Sequence, residues 1–356
     1  MTSNELLSAG ENIRPQLTLD DAKQLVTKLY GFMCKSIYEL DGYDDKNFKV
    51  TVEGNRQSDK EEEYVLKILN SLDSRKAALI EGQNELLLYL SNNKINCPTP
   101  IQTLTHTYYS IEKLESGQHI VRLMRFIPGV TLLKASDPTP CLFTEIGTFA
   151  ANLDKVMKKF HHTVYDSHRT IWMLQSVPDL RRFLFAIEDK ERRRILEEII
   201  EEFEEKVLTK VETLDQGMIH GDFNEQNILV EKIQEKWRMK AILDFGDTQN
   251  CCYLFEVAIA MTYVMILQRC MNAGGYVLAG YQKVRKLPEE ELQLLKICIE
   301  ARICQSLVMG TYSSILDPDN AYILTTSKPG WELLLKMRSV TRDQLLSNWQ
   351  NFALQK

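Results

Sequence analysis

The stretch "MIHGDFNEQNILV", Met218 to Val230, sets a histidine, a glycine, an aspartate and an asparagine between apolar runs that read as strand ends. Four residues separate Asp222 from Asn227, and "ILDFGD" places Asp244 at the end of the next apolar run. Three oxygen-bearing side chains can thus meet at one end of a hairpin. Hard oxygens suit Mg²⁺, which favours carboxylates, water and phosphate oxygens. Phosphoryl transfer needs a carboxylate that orients the attacking hydroxyl and ligands for a cation that bridges the phosphates. Asp222 and Asn227 are the catalytic candidates, with Asp222 orienting the hydroxyl; Asn227 and Asp244 are the metal candidates. Asp and Asn also favour turns for purely local hydrogen bonding, which would suffice for "HGD" alone. For H-x-D-x-x-x-x-N followed by an apolar strand and D-F-G, the catalytic reading is preferred.

These residues need elements that hold two strand ends together. At 356 residues the chain is too long for one compact core and suits two packed units. "LTLDDAKQLVTKLYGF" predicts a helix with Thr18 as N-cap, Asp20 and Asp21 in its first turn and Gly31 at its end. "NFKVTV" and "EYVLKIL" read as strands joined by the polar loop "EGNRQSDKEE", and "SRKAALIEGQNELLLYLSNN" as one helix. "IQTLTHTYY" and "HIVRLMRFI" complete an antiparallel set, which "PGV" at Pro128 to Val130 breaks. Helical spacing then covers 142–161, 178–189, 191–214, 253–270, 288–316 and 331–349. The segment 218–245 interrupts it as two short strands, "NILVE" and "WRMKAILDFG". The expected class is α+β.

A net charge of −6 and a pI of about 5.7 leave no electrostatic footprint for nucleic acid, and no Lys/Arg cluster suits a lipid surface. The expected partners are a small-molecule amine and a nucleotide, with no nucleic acid, no membrane and no obligate protein partner. "YLFEVAIAMTYVMILQ" is short for a membrane span and carries Glu256, so it reads as a buried helix. Eight cysteines without a C-x-x-C pair, and an opening unlike a secretory signal, predict a reducing, cytoplasmic setting.

The H-x-D-x-x-x-x-N and D-F-G pair resembles the protein-kinase-like fold, and "HGD", with glycine where protein kinases carry arginine, resembles its aminoglycoside phosphotransferase branch. "YDDKNFKV", "EYVLKI", "LIEGQN", "INCPTP", "AILDFGD", "FEVAIA", "VLAGY" and "CQSLVMGTYS" extend the resemblance over about residues 43 to 314. It implies two lobes: 1–126 with an antiparallel sheet for the nucleotide, and a mostly helical 127–356 holding the catalytic hairpin. It further implies GTP or ATP as co-substrate, Mg²⁺, and a hydroxylated amine as acceptor. 5-Hydroxy-L-lysine is the leading acceptor, with homoserine, choline or an aminoglycoside as alternatives. A catalytically silent binding module is disfavoured, because Lys67, Asp222, Asn227 and Asp244 are all of the required types.

Such a kinase needs a strand lysine for the α- and β-phosphates and a helix carboxylate to hold it. "YVLKI" supplies Lys67 among apolar flanks, and "LIEGQNELL" supplies Glu81, with Glu85 one helical turn on as the alternative. The resemblance lays the turn "DGYDDKNFKV", with Gly42, over the phosphates and assigns backbone edges of "RLMRFIPG", at Met124 and Phe126, to the base. The chain departs from protein kinases in lacking G-x-G-x-x-G, in carrying Asn224 where they have lysine, and in having no A-P-E segment after "DFGD". The last point counts against a protein substrate.

Two charges sit in apolar helices, where they are expensive unless paired. A structural Glu256 to Arg302 pair is expected; the sharper alternative gives Arg302 to a substrate carboxylate and Glu256 to an ammonium. His220 is expected to bond backbone and support Asp222. Asp247 is either a further metal or ammonium ligand or a turn cap.

Overall fold

The computed structural model describes residues 13–42, 44–53, 61–316, 318 and 326–354, with side chains to 351. It divides into two compact units at Pro128/Gly129. Most of the polar loop expected between "NFKVTV" and "EYVLKIL" lies outside the described residues.

The first unit opens with helix α1, Leu19–Tyr30, framed as its sequence predicts. Thr18 and Asp21 form a reciprocal capping box, and Gly31 closes the helix at φ 70°. Strands β1 (Cys34–Leu40), β2 (Lys46–Val52) and β3 (Glu62–Ile68) follow, then helix α2 (Ala77–Asn92) and strands β4 (Pro100–Ile101), β5 (Ser110–Leu114) and β6 (Gly117–Arg125). All pair antiparallel in the order β1-β2-β3-β6-β4, with β5 also on β6. Strand period two turns Phe48, Val50 and Val52 of β2 and Tyr64, Leu66 and Ile68 of β3 onto Leu25, Val26 and Leu29 of α1. Burial of each such side chain contributes about 2 kcal/mol. Lys67 therefore lies on the other face of β3. Two expectations fail here: β1 had no strong apolar alternation to betray it, and "IQTLTHTYY" is mostly turn because Thr103, Thr105 and Thr107 bond to one another.

In the second unit the helices are α3 (Pro140–Met157), α4 (Lys190–Phe203), α5 (Tyr253–Gln268), α6 (Ala273–Gln282), α7 (Glu289–Leu316), α8 (Ser327–Arg338) and α9 (Arg342–Leu354). Every residue of α5 from Tyr253 to Ile266 is buried, as its unbroken apolar sequence predicts. No helix among the described residues is long and apolar enough to cross a membrane. Three elements differ from expectation. The segment around 178–189 forms 3₁₀ turns over Leu174–Ala186, with Pro178 inside. The run 331–349 is two helices, because Thr341 and Gln344 cap each other's backbone and start α9 afresh. Helix α6 escapes the pattern because its glycines read as breakers. They are there for contact: a Cβ on Gly280 would lie 2.0 Å from Thr144 O of α3, and one on the facing Gly147 of α3 would lie 1.9 Å from Val277 O.

Five short strands position the candidate site residues. β7 (Val130–Thr131), β9 (Ile228–Ile233) and β10 (Lys236–Ile242) form one antiparallel sheet, while β8 (Gln216–Ile219) pairs with β11 (Gln249–Cys252). Because Ile228 pairs with Ile242 and Ile219 with Gln249, the loops 220–227 and 243–248 leave adjacent strand ends side by side.

Candidate active site

The first loop is built around His220. Its Nδ1 accepts from Asp222 N at 3.2 Å, the expected backbone bond, while its Nε2 donates to Leu243 O at 2.9 Å, outside its own loop, so the ring also ties the two loops together. Phe245 packs edge-on against it at 4.6 Å between centroids. Gly221 has φ 81°, and a Cβ there would sit 2.5 Å from Asp247 O, so this position is closed to any side chain. Below the turn, fully buried Glu256 accepts the amides of His220 and Gly221, each at 2.9 Å. Burial raises its carboxyl above the usual range, opposed by His220 and by the two amides.

Asp222 is held by both carboxylate oxygens. Oδ1 accepts from Arg302 Nη2 at 2.7 Å; Oδ2 accepts from Asn224 Nδ2 and Asn227 Nδ2, each at 2.8 Å. The expected Glu256 to Arg302 pair is therefore wrong: each charge answers to the loop 220–227, Glu256 through backbone amides and Arg302 through Asp222. Asn224 stands where protein kinases carry lysine, and its role here is local. Its Oδ1 accepts the amides of Gln226 and Asn227, closing the turn.

Asn227 donates Nδ2 to both Asp222 O and Asp222 Oδ2, which leaves its Oδ1 for another partner. Leu243 N donates to Asn227 O at 2.8 Å, which brings Asp244 beside it in the chain. Asp244 is exposed, has φ 53° and accepts from Gly246 N. No cluster of three or more His, Cys, Asp or Glu side chains suited to a metal occurs among the described residues. The donor chemistry of Asn227 and Asp244, one amide oxygen and one carboxylate, would instead fit a cation that completes its shell with phosphate and water oxygens. Asp247 Oδ1 accepts from Thr170 Oγ1 at 3.3 Å.

Nothing in the sequence pointed to Glu225. It is 3% exposed, its Oε2 has no hydrogen-bond partner, and burial reinforced by the Asp222 charge pushes its pKa up to about 7.

Within the first unit, Lys67 Nζ lies 3.2 Å from Asp45 Oδ2, and Asp45 also accepts from Asn70 N and Nδ2. Glu81, expected to hold Lys67, accepts from Tyr109 Oη instead. Helical spacing sets which carboxylates share a face, not which way α2 turns. Gly42 meets Asp45 closely, since a Cβ would lie 2.7 Å from Asp45 O. Met124 is buried opposite Val65. Phe126 N is committed to Glu63 O at 3.0 Å, and the Phe126 ring carries Lys49 Nζ at 4.0 Å.

Residues 40–291 match the APH family, described as the phosphotransferase enzyme family, and the chain belongs to it. It is a small-molecule phosphotransferase that acts on a hydroxyl group. A hydroxylysine kinase of Xenopus laevis is 36% identical over 98% of this chain and 97% of its own length. Among solved structures, a microcompartment-associated aminopropanol kinase aligns with TM-score 0.69 at 16% identity, covering 90% of this chain and 97% of its own. An amicoumacin kinase bound to AMP-PNP and Ca²⁺ aligns with TM-score 0.65 at 16% identity, covering 92% and 94%. These likenesses agree with the expected kinase-like α+β fold.

Proposed function

We propose that this chain transfers the γ-phosphoryl group of GTP, with ATP as the alternative donor, to the hydroxyl of 5-hydroxy-L-lysine in the cytoplasm. The observation that carries the substrate is the 36% identity, over nearly the whole of both chains, to a hydroxylysine kinase. Asp222 orients the acceptor hydroxyl and takes its proton as the oxygen bonds to Pγ; the bond from Pγ to the bridging oxygen breaks, releasing the nucleoside diphosphate. Asn227 Oδ1 and Asp244 are the proposed ligands of Mg²⁺, which would neutralise charge on the β- and γ-phosphates. Lys67 is the proposed partner of the α- and β-phosphates, with Gly42 in the covering turn and Met124 and Phe126 beside the base. The firm hold on Asp222 supports positioning as its main contribution, since proton transfer can lag behind bond cleavage in a loose transition state.

The test is nucleoside diphosphate release with Mg²⁺, crossing GTP and ATP with 5-hydroxylysine, lysine, homoserine, choline and an aminoglycoside. Release that needs 5-hydroxylysine and is absent with lysine supports both the acceptor and the reacting hydroxyl. Turnover with another acceptor and none with 5-hydroxylysine would overturn the substrate.

A further inference from the structure

Arg302 is 1% exposed, an expensive place for a charge, and its hydrogen bonds can be counted. A guanidinium has five N–H donors. Nε donates to Tyr263 Oη at 3.1 Å, Nη1 to Trp172 O at 2.8 Å and to Gln305 Oε1 at 2.9 Å, and Nη2 to Asp222 Oδ1 at 2.7 Å. Gln305 is fixed in turn, its Nε2 donating to Ile171 O and Met173 O. The guanidinium is thus clamped from α5, from α7 and from the 171–173 segment, and among the described residues a single Nη2 hydrogen stays open. Bidentate capture of a carboxylate needs two open N–H groups, so the donor count argues against the substrate-carboxylate role that the sequence left as an alternative.

The same count on Asp222 says which oxygen can work. A carboxylate oxygen has two acceptor positions. Oδ2 already accepts from Asn224 and Asn227, while among the described residues Oδ1 accepts only from Arg302. Oδ1 is therefore the oxygen with an open acceptor position, and it is the one that Arg302 holds.

We propose that Arg302 is a positioning residue for phosphoryl transfer: its clamped guanidinium presents Oδ1 of Asp222 to the acceptor hydroxyl. This rests on Asp222 being the residue that orients the hydroxyl. The proton leaves the hydroxyl for Oδ1, the hydroxyl oxygen bonds to Pγ and the bond from Pγ to the bridging oxygen breaks, releasing the nucleoside diphosphate, so Arg302 neither gains nor loses a proton. Its effect falls on the geometry of attack, and a misplacement of about 1 Å can cost about a hundredfold in rate. Tyr263, which bonds Nε and packs its ring against the guanidinium, transmits a smaller share.

The experiment measures kcat, acceptor KM and nucleotide Kd for Arg302→Ala, Arg302→Lys, Tyr263→Phe and Asp222→Ala, with thermal unfolding to show that each is folded. Arg302→Ala should lose about a hundredfold in kcat, keep its nucleotide Kd, and regain turnover when guanidinium or methylguanidinium is added. Lysine retains charge without the fork, so Arg302→Lys should fall between alanine and wild type. Tyr263→Phe should lower kcat several-fold with acceptor KM unchanged. If the alanine variant does not fold, Arg302→Lys and Tyr263→Phe decide. A folded Arg302→Ala with kcat within about threefold of wild type overturns the proposal, as does Arg302→Lys with the kcat of wild type. So does a raised acceptor KM with kcat intact, which would return the guanidinium to the substrate's carboxylate. Asp222→Ala separates the two failures: if it also turns over normally, the assignment of Asp222 has failed and not merely the role of Arg302.

Discussion

The loops 220–227 and 243–248 start from adjacent strand ends, and each carries an aspartate, yet they hold it differently. Asp222 accepts three side-chain hydrogen bonds and is 20% exposed, with the turn above it anchored to a buried glutamate. Asp244 is exposed, sits at φ 53° and accepts an amide two residues on in its own turn. A residue that aims one hydroxyl benefits from having no freedom. A ligand to a cation that arrives with its nucleotide needs open oxygens and a backbone turned to offer them. Left-handed backbone costs a residue with a side chain about 1 to 2 kcal/mol, less for aspartate, and such strain gathers at functional sites.

Replacing each aspartate in turn breaks or sharpens this contrast. Asp222→Ala should lower kcat by about a thousandfold, the middle of the range for a positioned proton-accepting group, while nucleotide still binds. Near-normal turnover would remove Asp222 from the chemistry. Asp244→Ala should weaken Mg²⁺-nucleotide binding by roughly a hundredfold, at the upper end of what a side chain supporting a metal costs. An unchanged Mg²⁺ titration of nucleotide affinity would show that the metal lies elsewhere. If both variants lost rate alone, the two loops would share one role and the contrast would collapse.

Gly221 tests whether the tight loop owes its shape to backbone geometry. A methyl group there meets Asp247 O at 2.5 Å and must adopt φ 81°, so Gly221→Ala should cost about 2 kcal/mol or more in unfolding free energy. Because the clash is with the backbone of the second loop, Mg²⁺ affinity should fall as well. Chemical denaturation and a Mg²⁺ titration on one sample check both; full stability would mean that the loops are less tightly joined than their contacts imply.

What could be read from the sequence followed the range of the interaction. The pairing of Asp222 with Asn227, the capping of α1 and the burial of α5 are local patterns, and the structure reproduces each of these local arrangements. Helix α6 was missed because its glycines serve a contact with α3, far off in sequence, that local rules score as breakage. The partner of Arg302 was missed for the same reason. An arginine in an apolar helix demands an anion, but which one depends on how α7 passes the catalytic loop 80 residues away in sequence. Glu225 carried still less signal, since a glutamate in a polar turn looks solvated until the fold covers it.

Glu225 gives the smallest effect and the one with a fixed sign. Its carboxyl, ordinarily near 4.5, is raised to about 7, first by burial and then by the charge of Asp222. Between those two pH values the folded chain holds a proton that the unfolded chain has released, so stability falls as pH rises through this window. Below it both states are protonated and the difference vanishes; above it the fold carries a buried carboxylate. Glu225→Gln removes that burden, and each tenfold change in proton affinity between the two states is worth about 1.4 kcal/mol. The variant should therefore match wild type near pH 4.5 and exceed it by up to about 3 kcal/mol at pH 8. Unfolding by urea at the two pH values measures the gap. A gap that is constant with pH would mean that Glu225 is already ionised in the fold, and that Arg302, although committed to Asp222, also neutralises the carboxylate beside it.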